Sequence, residues 1–222
     1  MQIPAHAPLH LLHQAAFGTL ATHERRPEGF PYPSILPFAP DARHRPTILV
    51  SGLAEHTRNL LADPRAGFLV AHAPDGDVLN GARVTLLGRF EPVDAAHAPQ
   101  RRYLRYHPDA RRYLALGDFG FWTLAPERMR YIGGFGSMGW LDGDELDPLV
   151  PIGDEEEAEL LAFFSAHPRR LPSVEPIGVD RYGVDARVDG ARVRYAFDLP
   201  AADIRALHDA LEDCIERTRV AG

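Results

Sequence analysis

The polar side chains best suited to chemistry lie in residues 51–64, where a short predicted helix follows a β-type run. Ser51 is predicted to cap the N-terminus of this helix. Thr57, Arg58 and Asn59 then place a hydroxyl, a guanidinium and an amide in succession, a combination that suits a phosphate or carboxylate at a helix start. The same three residues are also typical of a polar helix flank that faces water, so both interpretations stay open on chemistry alone.

The helix in this segment is predicted to end at Asp63, because Pro64 disfavours helical geometry in the residue before it. On a period of 3.6 residues, the side predicted to face the core consists of Leu53, Thr57, Leu60 and Leu61. His56, Asn59 and Asp63 form a polar flank beside it.

Other catalytic patterns are weak in this chain. The 11 histidines include no His-Glu-x-x-His arrangement, and His10 and His13, one turn apart, have no indicated third metal ligand. Cys214 is the single cysteine, which excludes an intrachain disulfide and a cysteine-based zinc site. No nucleophile elbow, phosphate-binding loop or dinucleotide fingerprint occurs. Any chemistry is therefore expected to belong to a bound cofactor.

Composition indicates an ordinary soluble protein. The chain has 222 residues, 45% of them hydrophobic, and a formal net charge of −7. An acidic chain of this kind argues against general binding to nucleic acid or to an anionic membrane. The N-terminal residues lack the pattern of a signal peptide and no apolar run is long enough to span a membrane, so we expect a cytoplasmic protein.

The first two thirds of the chain are predicted to form an antiparallel barrel. Strand-like segments separated mostly by short turns occupy residues 17–22, 32–38, 47–50, 66–72 and 82–93. Helical spacing then covers residues 94–116, where five arginines are expected to form a solvated face. Two further strands are predicted at 119–124 and 129–132, followed by a glycine-rich loop at 133–140.

A small second domain is predicted after a Pro- and Gly-rich boundary, which gives an α+β protein with domains at 1–145 and 152–222. Its helix at 155–166 is expected to turn four residues inward, Ala158, Leu161, Ala162 and Phe164. Three strands follow at 173–180, 183–188 and 192–197, the last two joined by an Asp-Gly hairpin turn. A helix at 201–219 completes an α-β-β-β-α arrangement.

Four segments in order, residues 17–22, 33–34, 51–60 and 83–88, resemble the split β-barrels of the pyridoxamine-5′-phosphate-oxidase-like superfamily. Three more, residues 106–108, 117–119 and 133–136, resemble its haem-utilisation branch, and the C-terminal part is similar to the small domain often fused there. The resemblance covers nearly the whole chain. It implies a homodimer of six-stranded split barrels with a cofactor, haem or FMN, in clefts between the subunits.

Flavin-binding relatives hold the flavin phosphate at the positions of Thr57, Arg58 and Asn59 and with basic groups on the strand that begins here at Ser34. This chain departs from that pattern, since Asn59 stands where the oxidases have lysine and Val84 replaces a glutamine. The strand at 34–38 also has no arginine or lysine. Fewer charged contacts predict weaker phosphate binding.

In the haem-utilisation branch, the resemblance places a haem-contacting arginine at Arg130 and the wall of an apolar slot at Phe135 and Trp140. An axial ligand is also required. Members of the branch use a histidine close to the chain end, and the last histidine here is His208. His56 and His208 are the two candidates for the iron ligand.

Three functions therefore stand as hypotheses. The first is a haem-binding dimer of haem-iron utilisation, able in some members to degrade haem with oxygen and reductant. The second is an FMN-dependent oxidoreductase, and the third is a carrier or regulatory dimer without catalysis. The candidate cofactor-binding residues are Ser34, Ser51, His56, Thr57, Arg58, Asn59, Arg83, Arg130, Phe135 and Trp140.

Overall fold

The computed structural model describes residue 3 and residues 6–72, 76–77, 79–94, 98–134 and 136–220. The chain divides into two compact units, residues 1–148 and 149–222. The helices and strands of the first unit are α1 Ala7–Gln14, β1 Phe17–Arg25, β2 Glu28–Pro40, β3 Pro46–Ser51, α2 Glu55–Ala62, β4 Arg65–His72, β5 Ala82–Val93, α3 Ala98–Tyr106, α4 Arg111–Leu114, β6 Phe119–Ile132 and β7 Met138–Asp142.

The strands of the first unit form one antiparallel sheet in the order β3-β2-β1-β4-β5-β6-β7. An additional pairing between β3 and β6 closes six of them into a ring, and β7 extends the sheet from β6. The six-stranded split barrel that the resemblance implies is thus confirmed, and β7 is a seventh strand of the same sheet. That strand includes Trp140, which the sequence had placed in a loop.

Aromatic packing fills the barrel interior. Phe38, Phe68 and Phe90 are completely buried and meet edge to face, with ring centroids 5.3 Å and 5.9 Å apart for successive pairs. They lie on three different strands, β2, β4 and β5, and each points to the side of its strand that faces the interior. Their burial removes a large apolar area from water and anchors three strands to one another.

The two strands predicted at 119–124 and 129–132 are one continuous strand, β6. The break predicted between residues 124 and 129 was wrong. Pro126 lies there, and proline removes a ladder hydrogen bond and usually marks the end of a central strand. Here it lies at a bulge, where Gly88 of β5 pairs with Pro126 and Leu87 pairs with Arg128. Glu127 is the extra residue that the bulge accommodates.

Helix α2 also differs from the prediction. It begins at Glu55 after Ala54, so Ser51 is not its N-cap. The Ser51 hydroxyl instead donates a hydrogen bond to Asp118 and accepts one from the Leu53 backbone N–H at 3.0 Å. The buried residues of the helix are Thr57, Asn59 and Leu60. Leu53, which precedes the helix, and Leu61 are exposed rather than directed to the core.

The second unit has the predicted α-β-β-β-α order. Its elements are α5 Asp154–Ala166, β8 Val174–Asp180, β9 Gly183–Val188, β10 Ala191–Ala196 and α6 Ile204–Val220, with the strands in the order β10-β9-β8. Asp189 and Gly190 both have positive φ, 49° and 84°, as a two-residue hairpin turn requires. The buried side of α5 includes Glu157, Leu160, Leu161 and Phe164.

Ala158 and Ala162, predicted to face inward on α5, are exposed. The buried stripe is shifted because Glu157 turns inward, where its carboxylate accepts a hydrogen bond from the Val179 backbone N–H at 3.2 Å. Cys214 is fully buried, and burial raises the pKa of its thiol to about 11. The thiol therefore stays protonated at neutral pH and is a core residue, as its position on α6 predicted.

Within the described part of the chain, no helix combines the length and apolar character needed to cross a bilayer.

Candidate functional site

Asn59 of α2 lies at the centre of a hydrogen-bonded network with β1. Its side chain is completely buried. Its amide nitrogen donates to the Thr22 hydroxyl at 3.1 Å and to the Glu24 carboxylate at 3.2 Å, and its oxygen accepts from the Arg25 guanidinium at 3.3 Å. The amide that the resemblance assigned to a cofactor phosphate is occupied in holding the helix to the barrel.

Two carboxylates flank the start of α2. Glu55 pairs with Arg25 at 2.6 Å and with Arg58 at 3.6 Å. The Arg26 backbone N–H, with help from the Asn59 amide, lowers the pKa of Glu24, which is therefore ionised at neutral pH. The guanidinium groups of Arg25 and Arg58 are therefore already engaged by a carboxylate of the protein, which weakens their availability to a phosphate.

Thr57 and His56 occupy the first turn of the same helix. The Thr57 hydroxyl is buried and has no hydrogen-bond partner among the residues that the structure describes. His56 is half-buried, and this burial lowers the pKa of its imidazole. A neutral imidazole is the form that ligates iron or another metal ion.

A second group of candidate residues lies on the outside of the barrel. Directly paired residues of antiparallel strands point to the same side of a sheet, and one such row contains Ile35, Thr19, Leu69, Thr85, Arg130 and Trp140. The adjacent rows add Leu87 paired with Arg128 and Arg83 paired with Ile132. Phe17 joins the same side, because it lies two residues before Thr19 on β1. These residues together are called the outer sheet face.

Cations and an aromatic ring meet at one side of the outer sheet face. The Arg128 guanidinium carbon lies 4.4 Å from the centroid of the Trp140 ring, and the Arg130 carbon lies 5.6 Å from it. Both distances are within cation–π range. The indole remains 46% exposed, so two guanidinium groups flank an accessible flat aromatic surface.

The rest of the outer sheet face is unusually apolar for a surface. Ile35 is 75% exposed, Phe17 59%, Leu87 42% and Leu69 38%. Contiguous exposed apolar side chains on a sheet mark a site of binding or association. The face therefore combines an apolar plane with arginines at its border.

The structure separates the predicted site residues into two groups. Arg83, Arg130 and Trp140 share the outer sheet face. Thr57 and Asn59 lie on the buried side of α2. The Arg83 guanidinium donates to the backbone oxygens of residues 79 and 81 at 3.1 Å and 3.3 Å.

The remaining candidates belong to neither group. Ser34 pairs with the buried Leu20, so it points to the opposite side of β2 from Ile35. Phe135 lies outside the described residues. His208 is an exposed residue of α6 in the second unit, with its ring centroid 4.9 Å from that of Phe163.

Arg128 belongs to the outer sheet face but was not among the candidate residues taken from the sequence. The sequence could have predicted its position, because it lies two residues before Arg130, and residues i and i+2 of a strand point to the same side. The apolar partners Ile35 and Leu69 carried no comparable signal, since they lie on strands distant in sequence.

The fold and this face define a split β-barrel protein with an open, amphipathic outer sheet. Residues 4–147 match the family model described as CREG, beta-barrel, and the chain belongs to this family. The chain is also 36% identical over 126 residues to the chloroplastic non-canonical heme oxygenase HOZ of Arabidopsis thaliana. The match covers 56% of this chain and 38% of HOZ. It thus spans about two fifths of that relative.

Two solved structures resemble the whole chain. A heme-binding protein from Mycobacterium smegmatis is 28% identical, with a TM-score of 0.60, and the match covers 99% of this chain and 100% of that one. The protein Atu2129 from Agrobacterium tumefaciens has a TM-score of 0.74 at 22% identity, covering 93% and 92% of the two chains. The latter likeness shows the fold alone.

Proposed function

We propose that this protein binds haem on the outer sheet face and serves in the use of haem iron. The observation that carries the proposal is the pair Arg128 and Arg130 beside the exposed ring of Trp140, next to an apolar plane. Haem is a flat apolar macrocycle with two carboxylates, so it needs an apolar surface and cations near its edge. Arginine suits this role because its planar guanidinium binds a carboxylate through two hydrogen bonds.

Similarity to the haem-binding protein of Mycobacterium smegmatis supports the proposal, because that match spans both chains almost completely. The match to HOZ supports a further proposal, that bound haem is degraded with oxygen and reductant. Haem iron would supply the oxygen chemistry. The protein residues would orient the macrocycle and hold its carboxylates.

A homodimer is part of this proposal. The exposed apolar side chains of the outer sheet face would be covered by the same face of a second copy, which would leave clefts for haem at the arginine-bordered side. His56, whose half-buried imidazole has a lowered pKa, and His208 both stay candidates for the iron ligand. The cytoplasmic location stays a prediction.

An FMN-dependent oxidoreductase is the second candidate function. One observation favours it, the buried Thr57 hydroxyl that has no partner among the described residues and could donate to a phosphate. Against it stand the ionised Glu24 and the neighbouring Glu55, together with the internal bonds of Asn59. Because Asn59 and Arg25 are bonded within the protein and Glu55 pairs with both Arg25 and Arg58, few groups at α2 remain for a flavin phosphate, and haem on the outer sheet face is the favoured function.

Haemin titration of the purified protein tests the proposal. We expect a saturable Soret band, and we expect Arg128→Ala and Arg130→Ala each to weaken haemin binding about tenfold or more, since a charged hydrogen bond contributes about 1.5–3 kcal/mol. Arg111→Ala, an exposed arginine of α4, is the matched control and should leave affinity unchanged.

Equal affinity in all three variants, or FMN uptake without haemin uptake, would contradict the assignment. Adding ascorbate and oxygen to the haemin complex then separates an oxygenase from a carrier. Loss of the Soret band with release of iron indicates degradation, and a stable band indicates a carrier. His56→Ala should shift the Soret maximum if His56 is the axial ligand.

A further inference from the structure

Two histidines of the first unit form a buried pair that the proposed haem function does not use. His13 lies in the last turn of α1 and is 0% exposed, and His44 lies in the turn between β2 and β3 and is 1% exposed. His13 Nε2 and His44 Nδ1 are 2.8 Å apart. Two ring nitrogens from separate elements are therefore aimed at one another inside the protein.

The backbone holds His44 in an unusual conformation. Its φ is +61°, in the left-handed region that residues other than glycine rarely adopt. The His44 backbone N–H donates to the Asp41 carbonyl oxygen at 3.0 Å, and the Asp41 carboxylate accepts from the backbone N–H groups of Arg43 and Arg45, each at 2.9 Å. Such strain persists where the surroundings enforce it, often at binding sites.

A carboxylate sets the orientation of the His44 ring. Asp147 Oδ2 lies 3.1 Å from His44 Nε2 and is largely buried. When Nε2 carries the proton and donates to this carboxylate, Nδ1 keeps its lone pair and faces His13. Metal-binding histidines show the same arrangement, with a carboxylate on the ring nitrogen that does not bind the metal.

We propose that His13 Nε2 and His44 Nδ1 bind a divalent transition-metal ion such as Zn²⁺, with Asp147 as the positioning residue for His44. Zinc–nitrogen bonds of about 2.0–2.1 Å in a tetrahedral site place two ligand nitrogens about 3.3 Å apart. The observed 2.8 Å separation is within a small side-chain adjustment of this value. Other coordination positions would be taken by water or a carboxylate.

Binding needs no redox step. The ion uses a lone pair from each nitrogen. The proton that lies between the two rings therefore moves to His13 Nδ1, so that both imidazoles stay neutral. The sequence had indicated His10 as the possible partner of His13 on one helix face. The structure supplies His44 instead, 31 residues later in the chain.

The test uses the untagged 222-residue chain, without haem, after removal of metal by a chelator. Titration with Zn²⁺ against a chromophoric competitor should show one ion per chain, and Co²⁺ should give visible absorption bands of a nitrogen-ligated site that Zn²⁺ removes. His13→Gln and His44→Gln should each lower Zn²⁺ affinity more than about 100-fold, and Asp147→Asn about 10–100-fold.

His72→Gln is the matched control, because His72 is exposed at the end of β4. It should bind Zn²⁺ as the unmodified chain does. Absence of stoichiometric binding, or equal affinity in the His13, His44 and control variants, would overturn the proposal. If the two histidine variants fail to fold, ring-nitrogen NMR of the unmodified protein decides: Zn²⁺ must shift the His13 and His44 signals, and unmoved signals refute the site.

Discussion

Asn59 shows how one residue type at one position can serve either a ligand or the fold. Its place in the Thr57-Arg58-Asn59 series suits a cofactor phosphate, but its amide instead bonds to Thr22 and Glu24, and its oxygen bonds to Arg25. A buried amide with three internal partners has little capacity left for a ligand. Its role is therefore to dock α2 onto β1.

Replacing Asn59 with alanine should destabilise the protein. The change removes the amide that satisfies the buried Thr22 hydroxyl and the Glu24 carboxylate, and an unsatisfied buried group costs about 1–3 kcal/mol. Urea unfolding followed by circular dichroism measures the loss.

Arg58→Ala is the comparison for that experiment. Arg58 is half-exposed and pairs with Glu55 only at 3.6 Å, so its removal should change the free energy of unfolding by less than about 1 kcal/mol. Comparable destabilisation by both variants would contradict the structural role given to Asn59. A flavin site at α2 predicts a different result, with Arg58→Ala lowering FMN affinity about tenfold.

Strand β6 determines how the arginines of the outer sheet face are presented. The bulge at Glu127 shifts the register by one residue, and a shift of one residue moves every following side chain to the other side of a sheet. Arg128 and Arg130 point outward, and Met129 and Tyr131 point into the core, because of this insertion. The bulge is thus a requirement of the proposed haem site.

Gly88 permits the bulge, since a Cβ there would lie 2.1 Å from the Ala125 carbonyl oxygen. We expect Gly88→Ala to lower the free energy of unfolding by about 1–3 kcal/mol through overpacking, and to weaken haemin binding by displacing β6. Thermal unfolding and haemin titration measure the two effects.

The control at the element scale is Gly120→Ala on β6, where an added Cβ meets nothing within 4 Å. This variant should keep both the stability and the haemin affinity of the unmodified chain to within experimental error. Equal behaviour of the two glycine variants would show that the close approach at Gly88 is not what holds the strand.

At the scale of the whole molecule, the exposed apolar side chains of the outer sheet face require a cover. Ile35 at 75% and Phe17 at 59% exposure are costly in water for an isolated barrel. A second copy of the chain is the proposed cover. The same face then contributes to both association and haem binding.

Ile35→Glu should convert the proposed dimer to a monomer, because two carboxylates would be desolvated in one symmetric interface. Light scattering after size-exclusion chromatography gives the mass directly. Amine cross-linking is unsuitable, since all 24 basic residues are arginines and the chain has no lysine. Leu116→Glu, at a site 66% exposed outside the face, is the control and should leave the mass unchanged.

An unmodified protein that elutes as a monomer would contradict the dimer. In a confirmed dimer, Ile35→Glu should also reduce haemin binding, because the cleft needs both copies. Retained haemin affinity in a monomeric variant would place the site on one chain alone.

Much of the architecture was determined by the sequence itself. Period-two alternation and short turns predicted the antiparallel barrel, and the Asp189 and Gly190 turn predicted the hairpin of the second unit. Both signals are local, since a strand's alternation and a turn's backbone preference depend on neighbouring residues. The resemblance also pointed to Arg130 and Trp140, which pair across β6 and β7. Their role in binding haem stays a prediction, and Trp140 lies in a strand rather than a loop.

Only the tertiary structure decided which polar residues remain available. The Asn59 side chain forms its hydrogen bonds with residues of β1, and His13 contacts His44. These partners are 31 to 37 residues apart in sequence and become neighbours only in the folded barrel. Strand pairing likewise decided that Arg128, Arg130 and Trp140 meet the apolar Leu69 and Ile35 on one face. Local sequence fixes the conformation of each strand, but register between distant strands arises from the packing of the whole barrel.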